Sequence, residues 1–100
     1  MEASLTHEEF VQQANGKFQV EFDENADVEL ELTDVSELKL YPQQEEFVLV
    51  FRGPGDMFLG QGPRYFKNDQ MGRFEIFIVP IRQDAQGFYY EAVFNRIRQQ

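Results

Sequence analysis

Asp23, Asn25, Asp27, Glu29, Glu31 and Asp34 stand at the 1-3-5-7-9-12 spacing of a calcium-binding loop, the arrangement that wraps one hard cation in oxygen ligands. Two positions that such a loop depends on are wrong. The sixth is Val28, where a sharp turn needs glycine, and the twelfth is an aspartate in place of the longer bidentate glutamate. The later ligand positions also alternate with Val28, Leu30 and Leu32, as strand residues do. The segment reads as a solvated hairpin turn. Asp23, Asn25 and Asp27 are weak cation candidates, and neither a metal site nor a cofactor is expected.

Nucleophilic catalysis lacks its parts. The serines are Ser4 and Ser36, neither lies in a G-x-S-x-G elbow, and the sole imidazole, His7, falls in the first turn of an expected helix. The absence of cysteine removes thiol catalysis, disulfides and thiolate zinc sites, and one histidine cannot assemble the usual zinc ligand set. Eighteen acidic residues generate carboxylate pairs by chance, and no pair is set apart as a buried couple with split pKa values. The chain is expected not to be an enzyme.

The stretch "FRGPGDMFLGQGPRYF", Phe51 to Phe66, has the glycines of a phosphate cradle but not its donors. Pro54 and Pro63 remove backbone N–H groups, and the chain leaves Pro63 as the strand-like "RYF" rather than as a helix N-terminus. Its apolar tip, Met57, Phe58 and Leu59, has two readings. It folds back as a cap on an open end of the core, or it is a protein contact with Arg52, Asp56 and Arg64 as its polar rim.

These residues must be carried by a small β fold. Thr6 and Glu9 have the spacing of a capping box and Asn15-Gly16 supplies a stop, which predicts one short helix over Thr6 to Ala14. Phe18, Val20 and Phe22 alternate with polar residues, as do Val28, Leu30 and Leu32. The two sets predict a hairpin with Phe22 opposite Val28, Val20 opposite Leu30, Phe18 opposite Leu32, and Glu21 facing Glu29. A change of phase predicts a bulge near Asp34 to Ser36, and Pro42 ends the next strand. "FVLVF" from Phe47 and "FEIFIVPI" from Phe74 are apolar on both faces, so they belong to interior strands or to strands whose second face is covered by the helix or a partner. A short strand near Arg64 to Lys67 precedes a second hairpin, turning at Asp84 to Gly87, that sets Phe74, Ile76 and Ile78 against Phe94, Ala92 and Tyr90. The fold class is mainly β (α+β by count): five to six antiparallel strands in a small barrel or roll with one short N-terminal helix.

One hundred residues with 42% apolar content fit a single domain over residues 1–100. No apolar run suggests a signal or a membrane span, and the default location is the cytoplasm. A net charge of -9 argues against nucleic-acid and anionic-membrane partners. The charge is lopsided. Met1 to Glu46 holds thirteen acidic and two basic residues, and Phe47 to Gln100 holds five and seven. Self-association by head-to-tail contact of the two halves is one consequence to weigh.

"FRGP" at Phe51, "QG" at Gln61, "FEIFIVPI" at Phe74, "DAQG" at Asp84 and "YEAVFNR" at Tyr90 resemble a bacterial family of domains of unknown function whose members end in this tyrosine-glutamate-alanine-valine-phenylalanine-asparagine signature. The resemblance begins at "LTHEEF" and is loosest in the acidic hairpin. It carries no activity and no catalytic residue. It implies a structural or assembly role beside proteins similar to phage-tail collar or fibre components. The chain departs from the family's pattern at Asn68-Asp69, where a histidine-proline pair is common. The alternative reading is a small-molecule or cation-binding barrel.

Overall fold

The computed structural model describes residues 5–24 and 26–97. Its elements are α1 (His7–Gln12), β1 (Lys17–Asp23), β2 (Ala26–Val35), β3 (Lys39–Tyr41), β4 (Gln44–Gly53), β5 (Gly62–Asn68), β6 (Gly72–Asp84) and β7 (Gly87–Ile97). All strand pairs are antiparallel, in the order β2-β1-β5-β6-β7-β4, and β2 pairs back onto β4. Six strands therefore close a barrel and remove the open edges a flat sheet would expose. The seventh strand, β3, continues along the β2 edge of β4.

The capping box forms as its spacing predicts. The Glu9 N–H donates to Thr6 Oγ1 at 3.1 Å, and the Thr6 N–H donates to Glu9 Oε1 at 3.0 Å. The helix ends at Gln12, short of Ala14, and Asn15 takes the left-handed φ of 67° that turns the chain into β1. The expected bulge lies slightly earlier, between Leu32 and Asp34.

Both hairpin registers differ from the expected ones, the first by two residues and the second by two at Val79 and Pro80 and by three from Arg82 to the turn. Phe18 lies opposite Leu30 and Val20 opposite Val28, because β1 runs on to Asp23, which pairs with Ala26 across an irregularity after Glu21. A slip of two keeps every side chain on its own face, so Phe18, Val20, Val28, Leu30 and Leu32 are still buried. Phe22 alone is lost to the core, 37% exposed beyond the irregularity. Glu21 stands opposite Asp27 rather than Glu29, and Arg73 of β6 donates to it at 2.7 and 3.1 Å. In the second hairpin Val79 faces Glu91 and Pro80 faces Tyr90, with an irregularity before Arg82. Residues 72–78 pair with β5 instead.

Phenylalanines fill the barrel. Phe10, Phe18, Phe47, Phe51 and Phe66 are fully buried, Phe74 nearly so, and Phe94 packs on them from the rim. Their rings meet edge-on or tilted, as between Phe18 and Phe51 at 5.6 Å and 90°, or stacked, as between Phe47 and Phe94 at 4.8 Å and 5°. At one end α1 inserts Phe10 as a plug against Phe47, Phe74 and Phe94. The loop over residues 54–61 crosses the other end.

Candidate contact surfaces

The loop is chiefly a lid. Leu59 is buried in the core and Met57 is partly buried against it. Tyr90, pointing along the barrel from β7, holds the loop with one hydroxyl, accepting from the Leu59 N–H at 3.0 Å and donating to the Met57 carbonyl at 3.5 Å. Burial pushes this phenol's pKa up, although the hydrogen bond from Leu59 opposes the shift. The exposed part of the tip is Phe58, 54% accessible, whose ring lies edge-on to Phe88 at 5.1 Å.

The other rim residues do not gather around Phe58. Arg52 turns to Glu31 and Gln86, and Asp56 is exposed in the turn after Pro54. Arg64 shares the inward parity of Phe66 on β5. Its Nη2 donates to the Gly60 carbonyl at 3.4 Å, and its Nε is buried without a hydrogen-bond partner.

Among the described residues the basic side of the lopsided charge is largely consumed within the molecule, and the acidic excess remains. Arg52 pairs with Glu31, Lys67 with Asp27, Arg73 with Glu21 and Arg96 with Glu45, so the bases of the second half already meet acids of the first. Lys17 pairs with Glu29, and Arg82 with Asp84. Of the cation candidates, Asp27 is held by Lys67 at 3.2 Å, Asp23 lies beside the β1–β2 turn, and Asn25 lies outside the described residues. Among the described residues no three acidic or histidine side chains stand together as a metal site. His7 serves the helix: its Nε2 lies 2.8 Å from the Ser36 carbonyl and its ring lies edge-on to Phe47 at 5.2 Å.

A surface that the sequence signalled only indirectly lies on the outer wall of β4, β7 and β6. Alternation turns Phe47, Leu49 and Phe51 inward, and Val48 and Val50 therefore outward. On β6, Phe74, Ile76 and Ile78 point inward and Phe77 and Val79 outward. On β7, Tyr90 and Ala92 are buried, while Glu91 and Val93 face out. Register sets Glu91 between Val50 and Val79, and Val93 beside Val48. Phe77 is 52% and Val93 55% exposed. One row away Tyr89 stands opposite Arg52 and carries the Arg82 guanidinium at 3.6 Å over its ring. The wall is thus an apolar band around the Glu91 carboxylate, bounded on one side by arginines that are already paired and on the other by Glu46 and Glu75.

The model of a domain of unknown function, DUF6916, matches residues 5–94. The chain belongs to the DUF6916 family. No curated protein and no solved structure matches it. The stretch that reads "YEAVFN" divides between the two surfaces of the barrel. Its tyrosine and alanine are buried and its phenylalanine caps the core from the rim, while Glu91 and Val93 lie on the outer wall and Asn95 is exposed beyond them. Asn68 joins the β5–β6 turn to the helix end. Its Nδ2 donates to Gln13 Oε1 at 3.1 Å, and its Oδ1 accepts from the Met71 N–H at 2.7 Å. Among the described residues no helix is long and apolar enough to cross a membrane.

Proposed function

We propose that this DUF6916 chain is a non-enzymatic protein-interaction module of the cytoplasm, an accessory or assembly component of a phage-tail-like or fibre-like system. One observation carries the reading: β4 and β6 are apolar on both faces, yet α1 plugs the end of the barrel and leaves the outer face of β4, β7 and β6 bare. Apolar bands of this kind on small domains mark contacts with other proteins. Phe58 at the lid is a second, smaller patch. The alternative, a small-molecule or cation-binding barrel, has less behind it, because phenylalanine rings occupy the barrel axis and Lys67 holds Asp27.

Affinity purification of the tagged full chain from its own host tests the reading. Recovery of a larger protein in fixed proportion, identified by mass spectrometry as a tail or fibre component, is the expected result. The recovery should fall in Val93→Asp, whose melting temperature should drop by no more than about 8 °C, the cost of aspartate in a strand. A monomer that carries a small ligand or metal ion instead would transfer the case to the binding barrel.

A further inference from the structure

We infer that the outer wall of β4, β7 and β6 takes a partner segment that is apolar and carries a lysine or arginine placed to meet Glu91. This rests on the interaction-module reading and assigns the chemistry of the partner. Glu91 is half-buried between Val50 and Val79, and among the described residues its carboxylate makes no hydrogen bond or ion pair. The nearest arginines in the register, Arg52 and Arg82, are committed to Glu31 and Asp84. Any apolar surface laid over Val48, Val50, Phe77, Val79 and Val93 would strip water from that carboxylate, and desolvating a lone charge is strongly unfavourable unless a cation arrives with the surface.

Charge elsewhere points the same way. In the second half of the chain every described base except Arg64 is already ion-paired, so the charge left over on a chain of net -9 is negative. Long-range attraction therefore favours a basic partner and speeds its approach. A second copy is disfavoured by the same carboxylate. A two-fold contact through the wall would bring Glu91 near its own counterpart in the middle of an apolar interface, with like charges facing each other.

The experiment is a selection of random dodecapeptides displayed on phage against the immobilised full chain, with the enriched sequence then titrated as a synthetic peptide by fluorescence anisotropy. The expected consensus has one lysine or arginine flanked by apolar residues. Its affinity should fall at least about tenfold in Glu91→Gln and in Val93→Asp, and stay within about twofold in Phe58→Ser. Replacing the consensus cation by norleucine should abolish the difference between parent and Glu91→Gln, which separates a charge contact from a general loss of fold. Acidic or purely polar sequences, or a peptide indifferent to Glu91→Gln, would overturn the inference. Peptides whose binding is lost in Phe58→Ser alone would overturn it too, while leaving the interaction module standing with its contact at the lid. Failure to enrich any peptide, with no partner recovered by affinity purification, would remove both. Sedimentation showing a dimer that Val93→Asp dissociates would give the wall to a second copy and refute the basic partner.

Discussion

Phe10→Ala tests whether the helix is part of the barrel's interior or an ornament on its end. A helix of six residues has no independent stability, because nucleation consumes what its few hydrogen bonds return. It is present because Phe10 is fully buried against Phe47, Phe74 and Phe94, with ring centroids 6.1, 5.9 and 5.4 Å away. Removing a buried phenylalanine ring costs about 3–5 kcal/mol as lost transfer energy plus the cavity left behind. The upper part of that range fits this site. The capping box, the bond from the Asn15 N–H to the Leu32 carbonyl at 2.7 Å, and the contact between His7 and Ser36 at 2.8 Å all hinder the helix from settling into the hole. Domains of this size have about 5–15 kcal/mol in total, so the variant should lose about a quarter or more of its stability. Urea melting gives the free energy, and the melting temperature should drop by about 16 °C or more. Thr6→Ala, which removes only the cap, should cost about 1 kcal/mol and sets the scale for fraying alone. A loss below about 1 kcal/mol in Phe10→Ala would refute the plug and return the helix to the surface.

Gly87→Ala should destabilise by about 2–4 kcal/mol in the same urea assay, since the new Cβ would collide with the Gly53 carbonyl oxygen at a φ of +135°. Tyr90→Phe should cost about 1–3 kcal/mol by leaving the Leu59 N–H without its acceptor beneath the lid. Because the folded state raises the Tyr90 pKa, the unfolded chain releases this proton first. Stability is whole below the ordinary tyrosine pKa of about 10 and falls as pH rises above it, and a pH series of melts should show that fall reduced in Tyr90→Phe. Glu21 shifts the other way, held below the usual carboxylate range chiefly by its hydrogen bond from Arg73. Its contribution is present at neutral pH and lost as pH falls through the lowered value. A titration monitored by nuclear magnetic resonance should see the Glu21 carboxyl move upward in Arg73→Gln.

The inward residues were legible wherever one face of a strand is polar. Phe18, Val20, Leu30 and Leu32 announce their side by alternation alone, and a two-residue slip of register cannot change it. The slip itself was not legible, because the number of residues left to the turn decides it, and Asp23, read as part of the hairpin turn, is the last residue of β1. Glu29 accordingly meets Gln19 and Lys17 rather than Glu21. The lid was half legible. Met57, Phe58 and Leu59 are equally apolar in the sequence, but only a hydroxyl arriving from Tyr90, 31 residues beyond Leu59, decides which of them goes inside. The outer wall left a trace in the two-sided apolar runs of β4 and β6. Its carboxylate did not, since Glu91 reads as an ordinary outward residue until Val50 and Val79 are set on either side of it.

β7 is bonded along its length to β4 and for half of it to β6, and β4 in turn closes the barrel onto β2. On the ribosome this imposes an order of events. The hairpin of β1 and β2 can form as soon as it emerges, and β5 can find β6, but β4, emerging midway, has no partner along its β7 edge until residues 87–97 arrive. For that interval a strand apolar on both faces stands uncovered, and closure must then join segments far apart in sequence, which is slow for β topologies. Synthesis that stalls before β7 would therefore leave an adhesive fragment rather than a smaller barrel.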